Sequence, residues 1–179
     1  MQTQNMRIAI IGTHGTGKTT LAKMLSGVFN IPILEECARN YDIKHASPEK
    51  YLKIQKNILI EQIATESKHP SFVSDRSTID NLAYWIHSCA QMVDASMNKK
   101  YINTSMENAK KYTVIFLLVP EFYPMDDGFR DTNLIFQLQI AETINTILHL
   151  YQIPHYILRG TVDERLQRAI DIINETKQK

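Results

Sequence analysis

The chain has 179 residues, 44% hydrophobic and 22% charged, with 20 Lys plus Arg against 19 Asp plus Glu for a net charge of +1. That length suits one domain, 1–179, with a core of its own, and so small a net charge argues against a surface built for nucleic acid or an anionic membrane. No run reaches the roughly 20 apolar residues of a membrane span, and Cys37 and Cys89 form neither a CxxC nor a metal-ligand spacing, so a cytoplasmic protein with reduced thiols is expected.

In chain order, the first element is a strand at RIAIIG (7–12), too short and too soon cut by Gly12 to read as a secretion signal. It runs into GTHGTGKT (12–19), after which a helix is expected to begin near Lys18. IPILEE (31–36) is a second strand candidate and ends on Glu35 and Glu36. Adjacent strand residues point to opposite faces, so only one of that pair is expected to face a cleft. Ser47 followed by Pro48 is an N-cap with proline at the first helical position. The helix it opens carries Leu52, Ile58, Leu59 and Ile63.

A third strand, SFVSDR (71–76), ends on Asp75 and Arg76 and meets STID (77–80), a capping box with Asp80 at its third helical position. Tyr84 and Trp85 follow one turn later, as core residues in the first instance. TVIFLLVP (113–120) is apolar nearly throughout, as a strand covered on both faces should be. DDGFRD (126–131) is a turn around Gly128. The helix expected from near Thr132 carries Leu134, Leu138, Ala141, Ile144, Ile147 and Leu148 on one side. PHYILRG (154–160) is the last strand, and TVDE (161–164) is a second capping box with Glu164 at its third position.

Strands alternating with helices over five cycles predict an α/β fold, a parallel sheet with helices on both faces. Ligands of such sheets sit at the C-terminal strand ends. That rim collects Thr13 to Thr19, Glu35 and Glu36, Asp75 to Ser77, and Arg159 to Thr161. A bare sheet rim needs only turn residues, so the charge gathered there asks for a ligand.

Gly12-x4-Gly17-Lys18-Thr19 is the pattern of a phosphate-binding P-loop. Gly12, Gly15 and Gly17 let successive backbone N–H groups turn inward around a phosphate, and the helix that follows adds its N-terminal dipole. His14, Thr16 and Thr20 complete the nucleotide-binding stretch. Lys18 is expected on the β- and γ-phosphates and the Thr19 hydroxyl on Mg²⁺, which makes ATP with Mg²⁺ the expected cofactor pair. A P-loop does not say what receives the phosphate. No guanine-specifying N-K-x-D motif follows a later strand, and FVSDRS offers one aspartate followed by arginine instead of the Asp-Glu pair of ATP-driven machines.

DRSTIDNLAYW (75–85) is similar to the Asp-Arg-Ser signature of thymidylate and deoxynucleoside kinases. Together with EECAR (35–39) and DDGFR (126–130), it resembles the ribosylnicotinamide kinase domain of bacterial NAD-biosynthesis regulators. The resemblance runs from the P-loop to RGTVDERLQRAI (159–170) and implies a three-layer P-loop NTPase fold with five parallel strands in the order 2-3-1-4-5.

It also implies roles. Glu36, in the register that ECAR shares with the family, is expected to orient the acceptor hydroxyl or take its proton. Arg39 would hold a substrate group. Asp75 is expected either to hold Mg²⁺ through water or to act as the base, and Arg76 to clamp a donor or acceptor phosphate. Tyr84 is a candidate wall of the acceptor pocket. Residues 121–132 correspond to a lid, with Arg130 over the transferring phosphoryl group and Asp126 and Asp127 beside a cation or substrate hydroxyl.

The function so implied is ATP-dependent phosphorylation of a hydroxyl on a nucleoside-like small molecule. One alternative keeps the chemistry with a nucleoside monophosphate or a modified DNA base as acceptor. For the latter, Lys44, Lys50, Lys53, Lys56, Lys99, Lys100, Lys110 and Lys111 would line a groove, though solvated helix faces explain them as well. A different class, a regulatory nucleotide-binding ATPase, has no need of the DRS and DDGFR stretches.

Overall fold

The computed structural model describes residues 5–119 and 134–177. Five strands, β1 (Arg7–Ile11), β2 (Ile33–Leu34), β3 (Phe72–Asp75), β4 (Val114–Leu118) and β5 (Tyr156–Leu158), form one sheet in the order β2-β3-β1-β4-β5. Every pairing is parallel, so the order implied by the family resemblance is the order found. The described residues also form six α-helices, five between strands and one after β5: α1 (Lys18–Phe29), α2 (Pro48–Ser67), α3 (Thr78–Ser88), α4 (Ala95–Ala109), α5 (Leu134–Leu150) and α6 (Val162–Lys177). None of them is long and apolar enough to cross a membrane.

Strand alternation sorts the core into two layers. Ala9 and Ile11 of β1 with Ile115 and Leu117 of β4 pack against Leu82 and Trp85 of α3, Met106 of α4 and Ile140 and Ile144 of α5. Ile8 and Ile10, with Val114, Phe116 and Leu118, pack on the other face against Leu21 and Leu25 of α1 and Ala169 and Ile172 of α6. β4 is buried at all five positions, as its unbroken apolar run requires.

The helix starts follow their caps. The Ser47 hydroxyl accepts from Lys50 N–H at 3.3 Å with Pro48 in the first turn, and reciprocal capping boxes open α3 at Ser77 and Asp80 and α6 at Thr161 and Glu164.

The structure departs from or adds to the sequence reading in three places. β2 is only two residues long, so Glu35 and Glu36 lie beyond it, and Glu36 instead precedes a 3₁₀ turn at Cys37–Asn40. A second helix, α4, stands between α3 and β4; its mixed polar face gave no clear periodic signal. On α5 the buried stripe is Gln137, Ile140, Ile144, Ile147 and Leu148. Leu134 and Leu138, assigned to that stripe from sequence, are 44% and 52% exposed, because a 3.6-residue period through Ile140, Ile144 and Ile147 selects Gln137 and leaves them to one side.

A buried carboxylate ties α2 to α4 behind the sheet rim. Glu66, 2% exposed, accepts from Gln62 Nε2 at 2.6 Å, Asn108 Nδ2 at 2.5 Å and the Tyr112 hydroxyl at 2.6 Å. Burial first, and then the Glu66 charge, push the Tyr112 phenol well above its ordinary pKa.

Candidate active site

Residues 12–17 leave β1 and turn sharply before α1. Gly12 sits at φ +137°, where a Cβ would stand 2.3 Å from the Leu118 carbonyl oxygen of the neighbouring strand. Only glycine combines that conformation with that approach. Gly15 and Gly17 also lie in the left-handed region, at φ +73° and +88°. Lys18 is 3% exposed and arches over the turn, with Nζ donating to Thr13 O at 2.5 Å and to Thr16 Oγ1 at 3.3 Å. Thr20 is exposed on the first turn of α1.

Three side chains from distant elements grip this turn. Asp80 of α3 accepts from Gly12 N–H at 2.9 Å through Oδ1, while Oδ2 takes the Ser77 N–H and hydroxyl. Gln137 of α5 donates from Nε2 to His14 O at 2.7 Å. Arg165 of α6 donates from a terminal guanidinium nitrogen to Thr16 O at 2.8 Å. Each is at most 3% exposed. Burial raises the Asp80 pKa, against the opposing pull of Arg76, Lys18 and the bonds from Gly12 and Ser77.

Asp75 ends β3 opposite Ile10 of β1, which brings its carboxylate beside the start of α1. Its Oδ2 accepts from the Thr19 hydroxyl at 2.6 Å. Its Oδ1 is buried and has no hydrogen-bond partner, which is costly for a carboxylate oxygen. A hydroxyl and an orphaned carboxylate oxygen are hard donors that fit Mg²⁺, an ion that takes few protein ligands and fills its shell with water and phosphate oxygens.

Glu36 is 5% exposed, whereas Glu35 faces solvent. The Glu36 carboxylate pairs with Arg76 Nε in a short hydrogen bond and lies 3.6 Å from Arg39 Nε. Arg39 keeps 47% of its side chain exposed. Arg76 holds a left-handed backbone at φ +84°, unusual for a residue with a side chain and costing on the order of 1 kcal/mol. Its N–H donates to Ile10 O at 3.0 Å, and its guanidinium lies 3.7 Å from Asp80 and 5.4 Å from the centre of the Tyr84 ring. Burial works against that charge, but Glu36, Tyr84, Asp80 and Asp75 outweigh it and hold the Arg76 pKa above its ordinary value.

These groups border a cavity of about 690 Å³. Glu36, Arg76, Ser77 and Asp80 give it a charged side, and Tyr51, Ile58, Tyr84 and Phe136 an apolar one. His14 brings the P-loop to its edge, its ring stacked on Phe136 at 6.2 Å and 24°. Gln55, Gln62 and Asn81 add amides. Asn81 is oriented by its neighbours, donating to Gln55 Oε1 at 2.8 Å and accepting from the Tyr101 hydroxyl. Trp85 lies outside the cavity, fully buried against Tyr101.

Of the residues singled out in sequence, Lys18, Thr19 and Asp75 thus converge on the glycine-rich turn, while Glu36, Arg76, Tyr84 and His14 border the cavity. Arg130, Asp126, Asp127 and the lid expected at 121–132 lie outside the described residues. Sequence reasoning passed over Gln137 and Arg165, although each left a trace. Both are polar residues standing in the buried stripe of an otherwise amphipathic helix. Asp80 left no such trace beyond its cap, since the cap accounted for it fully.

Residues 7–165 match a family model described as an AAA domain. No curated protein matches the chain. Among solved structures, that of the NadR protein in complex with NR is similar at a TM-score of 0.76 and 20% identity, over 97% of this chain. The chain spans only 52% of that longer protein. Deoxyadenosine kinase from M. mycoides, with products dCMP and dCDP bound, superposes at a TM-score of 0.72 and 15% identity, covering 95% of this chain and 99% of its own. Thymidylate kinase from Candida albicans does so at 0.69 and 15%, covering 97% and 93%. At these identities the likeness is one of fold.

Proposed function

The chain belongs to this AAA-domain family, and within it we propose an ATP-dependent phosphotransferase that phosphorylates a hydroxyl of a nucleoside-like small molecule, with ribosylnicotinamide the first acceptor to try. One observation carries the reading: beside the P-loop lies a cavity of about 690 Å³ that a nucleotide switch would not need, charged on one side by Glu36 and Arg76 and walled by aromatic rings on another. Its size suits a small molecule, and rings such as Tyr84 and Phe136 suit a flat heterocycle.

On this reading the residues divide the work. The P-loop amides, with Lys18, bind the donor phosphates. Thr19 and Asp75 would hold Mg²⁺, which when bound supplies charge neutralisation on the phosphate oxygens. With Asp75 bonded to Thr19, Glu36 is left as the carboxylate that orients the acceptor hydroxyl and accepts its proton late. Arg76 directs Glu36 through their hydrogen bond and adds positive charge where the transferred group passes. Tyr84, which lines the cavity, is proposed as a wall for the acceptor; the roles of Arg39 and Asp127 toward the acceptor and of Arg130 toward the transition state rest on the family resemblance. Phosphoryl transfer of this kind depends on position and electrostatics more than on a strong base, so a glutamate paired with arginine is adequate.

The test is to incubate the protein with γ-labelled ATP and Mg²⁺ against ribosylnicotinamide, other nucleosides, nucleoside monophosphates and DNA, and to follow the label. Label on a nucleoside supports the reading, and label on a monophosphate or on DNA moves the acceptor class. Label only in inorganic phosphate, whatever is added, removes it in favour of a regulatory ATPase.

A further inference from the structure

Every peptide bond in the described turn is trans. In a planar trans peptide the C=O and the next residue's N–H point in opposite directions. Fixing a carbonyl therefore aims the following amide the other way.

Gln137 takes the His14 carbonyl at 2.7 Å and Arg165 the Thr16 carbonyl at 2.8 Å. The amides thereby aimed are those of Gly15 and Gly17, two of the three glycines of this turn held at positive φ. Glycine is the residue least able to hold such a conformation by itself, because it pays the largest backbone entropy when fixed. A ring of amides that must meet a polyanion gains affinity if it is ordered beforehand. Here the order comes from two buried side chains 123 and 149 residues away, both standing in stripes that otherwise bury apolar residues. Polar groups in such positions are expensive unless bonded. Any backbone carbonyl could accept from them, yet both donate to P-loop carbonyls.

We propose that Gln137 and Arg165 are positioning residues of the nucleotide site, which clamp the His14 and Thr16 carbonyls so that the Gly15 and Gly17 amides face the phosphates. This rests on the P-loop holding a nucleoside triphosphate, but not on which acceptor receives the phosphate. The clamp acts on the ground state and transition state alike, so its loss weakens binding and leaves turnover at saturation intact.

The experiment measures calorimetric affinity for Mg·ATP and for inorganic tripolyphosphate in Gln137→Leu, Arg165→Leu and the double variant. Each single change should weaken both ligands by roughly tenfold, one net hydrogen bond each. The Michaelis constant for ATP should rise while kcat stays within about twofold. Unchanged affinity in folded variants overturns the proposal. So does a loss for ATP that spares tripolyphosphate, which would place the effect on the nucleoside. Should a leucine variant fail to fold by circular dichroism, the Gly15 and Gly17 amide resonances carry the test in Gln137→Asn and Arg165→Lys. They shift if those side chains aim them and stay in place if not. If Mg·ATP and tripolyphosphate bind the unaltered protein and weaken as described while no acceptor is ever labelled, the clamp stands and the kinase reading fails.

Discussion

Glu36 owes its place to a single backbone event. Because β2 stops at Leu34, the chain has room to turn Glu36 inward onto Arg76 and leave Glu35 in water. Replacing it by glutamine keeps an acceptor for Arg76 Nε but removes the charge. Glu36→Gln is expected to lower kcat about 100-fold, with Mg·ATP affinity within about twofold, as read by steady-state kinetics and calorimetry. Full turnover would mean that Glu36 neither orients nor deprotonates the acceptor. The two thiols are a residue-scale case of burial alone. Desolvation first, joined at Cys37 by Glu61 and Glu66, pushes both pKa values up to about 11. At pH 7 the thiolate fraction is then roughly one in ten thousand, and the thiolate is the reactive form. Iodoacetamide should leave both unmodified in the native protein at pH 7, as mass spectrometry would register. Since the fold favours the neutral thiols, their contribution to stability is complete below the ordinary value of 9.0 and fades as pH rises toward about 11.

At the scale of elements, caps and polar anchors hold the helices in register with the sheet. Glu66 of α2 gathers Gln62, Asn108 of α4 and Tyr112 just beyond it, and Gln62 and Asn108 are buried from water. Glu66→Ala removes the acceptor of the Asn108 amide and the Tyr112 hydroxyl, while Gln62 Nε2 keeps Ser74 Oγ, so a loss of about 3 kcal/mol is expected in urea unfolding. Ile144, fully buried between α5 and the sheet, should cost about 2–5 kcal/mol when cut to alanine, through lost transfer energy and the cavity left behind. Leu138→Ala, on the exposed side of the same helix, should change stability by no more than about 0.5 kcal/mol. The contrast between the two checks the corrected stripe on α5 directly. That stripe was hard to read because Gln137 interrupts it while Leu134 and Leu138 lend apolar character to the wrong side.

For the molecule as a whole, strand order decides where chemistry can occur. The chain leaves β1 for the β2–β3 side of the sheet and then crosses to β4 on the other, so β1 ends at the switch point where open α/β sheets bind ligands. A ligand held there stabilises the fold by mass action. Mg·ATP at 100 times its dissociation constant should therefore add about 2.7 kcal/mol to unfolding, seen as a rise in melting temperature. Lys18→Ala should erase the rise while melting normally without nucleotide. An equal rise in that variant would place the nucleotide elsewhere.

Local chemistry was legible from residue order alone. Gly12 to Thr19, the two capping boxes, Ser47 with Pro48 and the apolar run of β4 each act over a few residues, so spacing is enough to reveal them. The strand–helix alternation likewise set the parallel class, because parallel neighbours demand crossovers. What required the folded chain is contact over long separations: Asp80 on Gly12, Gln137 on His14, Arg165 on Thr16 and Arg76 on Glu36. A polar residue in an apolar stripe can flag Gln137 or Arg165, but nothing in the spacing names the partner of a hydrogen bond spanning 40 to 149 residues, since only the packing of whole helices against the sheet decides which side chain arrives at which carbonyl or carboxylate.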